Sequence, residues 1–134
     1  MKYILDTSAI LSGKDIPLSE TLYIPPKVMN EISEGGRWYK KFQRMRAAGM
    51  QVVNPAGSCI EQVKKQAKRT GDHLRLSETD VEVVALAVQM DGTILTDDYS
   101  IQNIAKSMNI DYQGVAQEEI DEEYEWNYRC EKCG

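Results

Sequence analysis

Short apolar runs separated by polar turns set the frame of this 134-residue chain. Lys2-Tyr3-Ile4-Leu5 has the character of a buried strand and runs straight into Asp6, after which Thr7 or Ser8 is placed to cap a helix begun by Ala9, Ile10 and Leu11. Gly13 to Ser19 reads as a loop, and Leu22-Tyr23-Ile24 as a second strand stopped by Pro25-Pro26. Proline suits a first helical turn, so a helix is expected over Lys27 to Ile32, ended near Gly35-Gly36, with Val28 and Ile32 on its buried face and Glu31 beside that face. Arg37 to Ala48 is helical in pattern, Met50 to Val53 is a third strand, and Ser58 to Thr70 is a polar, basic helix. Ser77 and Asp80 have capping-box spacing and open an almost wholly apolar helix from Val81 to Met90. A fourth strand, Thr93 to Thr96, a helix from Tyr99 to Met108 and a last strand, Asp111 to Val115, complete the order. Strands alternating with helices imply an α/β fold with a parallel sheet of five strands and helices on its faces.

Two of these strands end in acid. Asp6 follows the first, Asp97 and Asp98 follow the fourth, and in an open parallel sheet that edge is where ligands bind. Glu31 has a route to the same edge from its helix, and Asp80 has one from the first turn of the apolar helix, where the helix dipole favours a carboxylate. Each acid read singly is a helix cap or an exposed residue. Together, Asp6, Glu31, Asp80 and Asp98 come from four separate segments with no His, Cys or Lys beside them. Clustered carboxylates repel, so they require cations or a raised proton affinity. Hard oxygen ligands select Mg²⁺ or Mn²⁺, and an ion held this way can activate water for phosphodiester hydrolysis.

Charge changes the picture further. The formal net charge is -5, but ten Lys and Arg lie between Arg37 and Arg75 against Glu61 and Asp72, while eight acids lie between Asp111 and Gly134. Trp38, Tyr39 and Phe42 are interleaved with Arg37, Lys40, Lys41 and Arg44, a pattern that suits nucleic acid because rings stack on unpaired bases while cations offset phosphate charge. Trp38, Phe42 and Met45 also fall at helical spacing and suit a core face equally well. The single His73, in a polar connector, is assigned no role. With three cysteines, Cys59, Cys130 and Cys133, no disulfide framework is described and a reducing compartment is expected. No apolar run approaches the roughly 18 residues of a membrane span, and the start lacks the regions of a secretion signal, so the expected location is cytoplasmic.

Four motifs in order resemble those of the PIN-domain endonucleases: Leu5-Asp6-Thr7-Ser8, the Glu of Val28-Met29-Asn30-Glu31-Ile32, the Asp of Leu76-Ser77-Glu78-Thr79-Asp80-Val81, and Thr96-Asp97-Asp98. The resemblance covers residues 2 to about 115. It implies a three-layer PIN-like domain over 1–116, a parallel five-stranded sheet with the first and fourth strands adjacent, and Mg²⁺ or Mn²⁺ held by Asp6, Glu31, Asp80 and Asp98 as catalytic residues. Ser8, Thr96 and Asp97 would support them, Asp98 rather than Asp97 being the ligand. Within that family, Leu95-Thr96-Asp97-Asp98-Tyr99-Ser100-Ile101-Gln102-Asn103 and the cysteine pair are similar to the Nob-type ribosome-assembly nucleases, which trim the 3′ end of small-subunit ribosomal RNA. Residues 117–134 then read as an acidic linker and the first knuckle, Cys130 and Cys133, of an incomplete zinc ribbon. Structural zinc normally takes four ligands, so Zn²⁺ is implied only for a longer chain, and the sequence reads as a shortened one.

The function expected is a metal-dependent single-strand endoribonuclease acting on the small-subunit rRNA precursor within the assembling subunit. The alternatives are a VapC-type toxin ribonuclease, with an antitoxin partner, and a non-catalytic RNA-binding scaffold. A response-regulator receiver would need a Lys partner that the sequence does not place. Oligomeric state is left open.

Overall fold

In the computed structural model the described residues are 2–11, 20–32 and 36–115. The expected loop Gly13 to Ser19, the helix stop at Gly35, the boundary near 116 and the tail with Cys130 and Cys133 lie outside them. In chain order the elements are β1 (Lys2–Leu5), α1 (Thr7–Ile10), β2 (Thr21–Ile24), α2 (Pro26–Asn30), α3 (Tyr39–Ala47), β3 (Gln51–Val52), α4 (Gly57–Thr70), a 3₁₀ turn (Asp72–Leu74), α5 (Glu78–Met90), β4 (Thr93–Leu95), α6 (Tyr99–Ser107) and β5 (Tyr112–Gln113). The five strands form one parallel sheet in the order β3-β2-β1-β4-β5. The first and fourth strands are therefore neighbours, as the resemblance implied.

The apolar runs account for this arrangement. Ile4, Leu5, Ile24, Ile94 and Leu95 are buried in the inner strands, and Val83 to Ala87 of α5 are buried with them. Burying an aliphatic side chain of this size contributes roughly 1.5–3 kcal/mol, so a register slip that exposed even one or two would be costly. The register thus held pairs Leu5 with Leu95 and sets Asp6 beside Thr96, with the Asp6 amide donating to the Leu95 carbonyl at 3.4 Å. Close approach also matters at the entry to β4. A Cβ on Gly92 would press on Cδ1 of Ile4 and lie 3.0 Å from the Lys2 carbonyl oxygen, so the missing side chain eases the approach of that turn to β1.

Three local expectations are corrected. Asp6 itself, not Thr7 or Ser8, is the N-cap of α1, its side chain accepting from the Ala9 amide. Glu31 is the C-cap of α2 rather than an interior helical residue, because the amides of Glu31 and Ile32 turn to the carbonyls of Val28 and Met29 in a tightened last turn. Trp38 is not in the core with Phe42 and Met45. It precedes α3, half-buried, with the Arg37 guanidinium 5.0 Å and the Lys41 ammonium 5.8 Å from its ring.

Candidate active site

The carboxyl ends of β1 and β4 carry a chain of hydrogen bonds that begins with Asp6. Its Oδ1 accepts from the Ser8 hydroxyl at 2.8 Å and the Ala9 amide at 2.9 Å, and its Oδ2 accepts from the hydroxyl of Thr96. Thr96 is fully buried, and the same hydroxyl accepts from the Asp98 amide at 2.9 Å, so one oxygen links the two strand-end acids. Gln102 of α6 fixes Thr96 from behind by donating to its carbonyl at 2.9 Å. Asp98 caps α6, with Oδ1 accepting from the amides of Ser100 at 2.8 Å and Ile101 at 3.3 Å. That leaves Oδ2 of Asp98 without a hydrogen bond from the described residues.

Glu31 is clamped from both sides. Thr7 of α1 donates to Oε1, and Thr79 of α5 donates to Oε2 at 2.7 Å. Asp80 follows Thr79 and completes the capping box of α5. Its Oδ2 accepts from the Ser77 amide at 3.0 Å while the Ser77 hydroxyl accepts from the Asp80 amide at 3.1 Å.

Electrostatics tie the four acids together. Burial holds the Asp6 carboxyl above the ordinary carboxylate value, against the pull of its hydrogen bonds from Thr96, Ser8 and Ala9, and the charge of Asp98 raises it further. Burial also raises Asp80, opposed by the Ser77 amide and hydroxyl and reinforced by the charges of Asp98 and Glu31. No Lys or Arg among the described residues bonds to or pairs with any of these four carboxylates. The Lys that a response regulator needs is therefore not found among them.

Asp97 turns elsewhere. Its Oδ1 accepts from the Val115 amide at 2.8 Å, and its own amide donates to Ser8 Oγ at 3.4 Å, so it fastens the chain after β5 to the end of β4. Arg37, Lys40 and Arg44 are exposed on or beside α3 with Lys41 half-buried, and Arg46 of the same helix reaches Met29 of α2 at 3.9 Å. A separate groove of about 760 Å³ lies between α4 and the start of α5, lined by Lys64, Lys65, Lys68 and His73 among others. None of the four acids lines it. Sequence reasoning missed Thr79 and Gln102, whose partners lie 48 and 6 residues away and leave no local signal beyond a hydroxyl beside Asp80.

The donor set is entirely oxygen, as Mg²⁺ or Mn²⁺ prefers. No three His, Cys, Asp or Glu among the described residues already close on a single point. Mg²⁺ is usually held through only one or two carboxylates with water completing its shell, so an open set with lone pairs left on Asp98 and Asp80 fits such an ion.

The sequence pattern described as the PIN domain of ribonuclease matches residues 3–90. This chain belongs to the PIN-domain family. PIN domains are metal-dependent nucleases, and the chain's enzyme class is endoribonuclease. It is 39% identical over 133 residues to Ribonuclease VapC1 of Thermoplasma acidophilum, covering 99% of this chain and 68% of that protein. It is 35% identical over 134 residues to Endoribonuclease Nob1 of Methanocaldococcus jannaschii, covering 97% of this chain and 64% of that protein. The chain thus spans about two thirds of the length of these curated relatives. Among solved structures, VapBC2 from Rickettsia felis bound to a DNA fragment from its promoter superposes with a TM-score of 0.60 at 16% identity, over 85% of this chain and 98% of that one. That likeness concerns the PIN fold alone.

Proposed function

We propose that this PIN domain cleaves single-stranded RNA, and that its substrate is the 3′ region of the small-subunit rRNA precursor in the assembling subunit. The observation that carries the catalytic part is the junction of Asp6, Thr96 and Asp98 at the ends of two adjacent parallel strands, with Asp80 and Glu31 coupled to it by charge. The rRNA part rests on the Nob-type run Leu95 to Asn103 and on the match of 97% of this chain to 64% of an archaeal protein named Nob1.

In this reading Asp6, Asp80 and Asp98, with Glu31, hold Mg²⁺ or Mn²⁺. When bound, the ion supplies an activated water and neutralises charge on the leaving oxygen. The chain's own residues orient the ligands. Thr96 and Ser8 turn Asp6, the α6 amides turn Asp98, and Thr7 with Thr79 fix both oxygens of Glu31. Arg37, Lys40, Lys41 and Arg44 bind the strand's phosphates, the domain spans residues 1–116, and the protein works in the cytoplasm. Cys130 and Cys133 would bind Zn²⁺ only as part of a complete ribbon.

The test is cleavage of an RNA carrying the small-subunit 3′ junction, single-stranded or annealed to its complement, with Mn²⁺ or with chelator. Cleavage of the single strand at one site, dependent on Mn²⁺, supports the reading, and none in Mn²⁺ contradicts it. Replacing Lys40, Lys41 and Arg44 by Ala should weaken binding and flatten its salt dependence, each lost phosphate contact reducing the log–log slope by about 0.7. The match to VapC1 favours a second reading, a toxin ribonuclease. That enzyme would cut RNAs lacking the junction as well as it cuts those containing it.

A further inference from the structure

Tyr99 is 74% exposed and stands at the first position of α6, directly after the cap residue Asp98. A lone exposed ring is ordinary on a protein surface. Its place and its isolation separate this one from the others. The remaining described Tyr, Trp and Phe rings, Tyr3, Tyr23, Trp38, Tyr39, Phe42 and Tyr112, are all buried or half-buried. Neither the Tyr99 ring nor its hydroxyl makes a hydrogen bond or ring contact with the described residues. Its Cα lies one peptide, about 3.8 Å, from that of Asp98, whose Oδ2 takes no hydrogen bond from the described residues.

We propose that Tyr99 is a base-binding subsite, on which the unpaired base next to the phosphate at the acid cluster stacks. The inference rests on the nuclease reading above and names how that site selects a single strand. The backbone geometry supports it. Asp98 is held by the α6 amides and, through Thr96, by β4, so the turn that carries the ring is rigid and stacking orders little besides one side chain. A base in a duplex is already stacked on both faces and cannot take this place without being extruded, whereas a single strand offers its bases directly. The four acids repel a phosphodiester, and a flat, neutral ring on the residue next to Asp98 would add attraction that does not depend on charge.

The experiment uses the whole chain in chelator, so that nothing is cut, and a single-stranded RNA in which 2-aminopurine is stepped through successive positions. The wild type should quench the fluorophore at one position. Tyr99→Ala should abolish that quenching and weaken binding about ten-fold, within the range usual for one base–aromatic stack, while Tyr99→Phe and Tyr99→Trp retain both. An abasic nucleotide at the quenched position should weaken wild-type binding by a similar factor and leave Tyr99→Ala binding unchanged. Equal weakening of both proteins by the abasic site, or unaltered quenching in Tyr99→Ala with an unchanged melting temperature, overturns the subsite. Quenching by a wild type that cuts nothing in Mn²⁺ supports the subsite and defeats the nuclease reading. Cleavage without quenching does the opposite.

Discussion

Among the described residues two acidic side chains are buried, Asp6 at 4% exposure and Asp72 at 1%, and their surroundings differ in kind. Asp72 is saturated by partners that suit a carboxylate. Thr70 donates at 2.6 Å, the Asn103 amide reaches its two oxygens at 3.2 and 3.3 Å, and Arg75 supplies a cation at 3.9 Å. It ties the end of α4 to α6, and nothing about it asks for a ligand. Asp6 also has every oxygen occupied, but by hydroxyls and one amide, and the charged group that acts on it is another acid, Asp98. Burial stabilises a paired carboxylate only when the pairing offsets desolvation. A buried carboxylate facing another carboxylate is an arrangement that a bound cation would relieve.

The largest expected effect that sharpens this contrast is on activity. Asp6→Asn should lower RNA cleavage by more than about a hundred-fold, since charge at the reacting centre is lost. The fold should survive. The Asn oxygen can still accept from Ala9, and Thr96, already accepting from the Asp98 amide, can reverse its hydroxyl to accept from the new side-chain NH₂ as well. Full activity in a folded Asp6→Asn protein would remove this residue from the site.

Asp72→Ala should act the other way. It strands Thr70 and Asn103 and should cost about 1–3 kcal/mol of stability, read by urea melts, with the cleavage rate per folded molecule unchanged. A selective loss of activity at full stability would erase the distinction between the two carboxylates.

A smaller effect follows from pH. Asp6 and Asp80 are raised above the ordinary value of 3.8, so each favours the folded state fully below that value and loses this contribution as pH rises through its folded value. In metal-free buffer, Asp6→Asn and Asp80→Asn should therefore be most stable relative to wild type near neutral pH, and that advantage should shrink as pH falls towards 4. A relative stability that does not change with pH would mean that burial does not strain these groups.

Much of this was legible in the sequence because the decisive pieces are local. Buried strands of three or four apolar residues announce themselves, and so does an acid directly after them, as with Asp6 and Asp98. Asp80 was legible through Ser77, three residues away. What was not legible depends on distant partners. Glu31 is held by Thr7 and Thr79, 24 and 48 residues away, and its place at a helix end rather than inside it follows from that clamp and the short turn. Asp72 sits in Thr70-Gly71-Asp72-His73, a polar connector that looks like surface, and only Asn103, 31 residues on, reveals that it is buried. Trp38 was drawn to the core by helical spacing, but the helix starts one residue later.

The central claim, that four acids from separate segments form one cation site, is tested most directly by thermal melts of wild type, Asp98→Asn and Asp97→Asn, with Mn²⁺ and with chelator. Asp97 is bonded to Val115, so it serves as the neighbouring control. At an ion concentration of 100 times the dissociation constant, binding to the folded state alone stabilises it by about 2.7 kcal/mol, a rise of several degrees for a domain of this size. Wild type and Asp97→Asn should show that rise and Asp98→Asn should lose most of it. If the wild type melts at the same temperature with Mn²⁺ as with chelator, the acids are separate helix caps and the site does not exist.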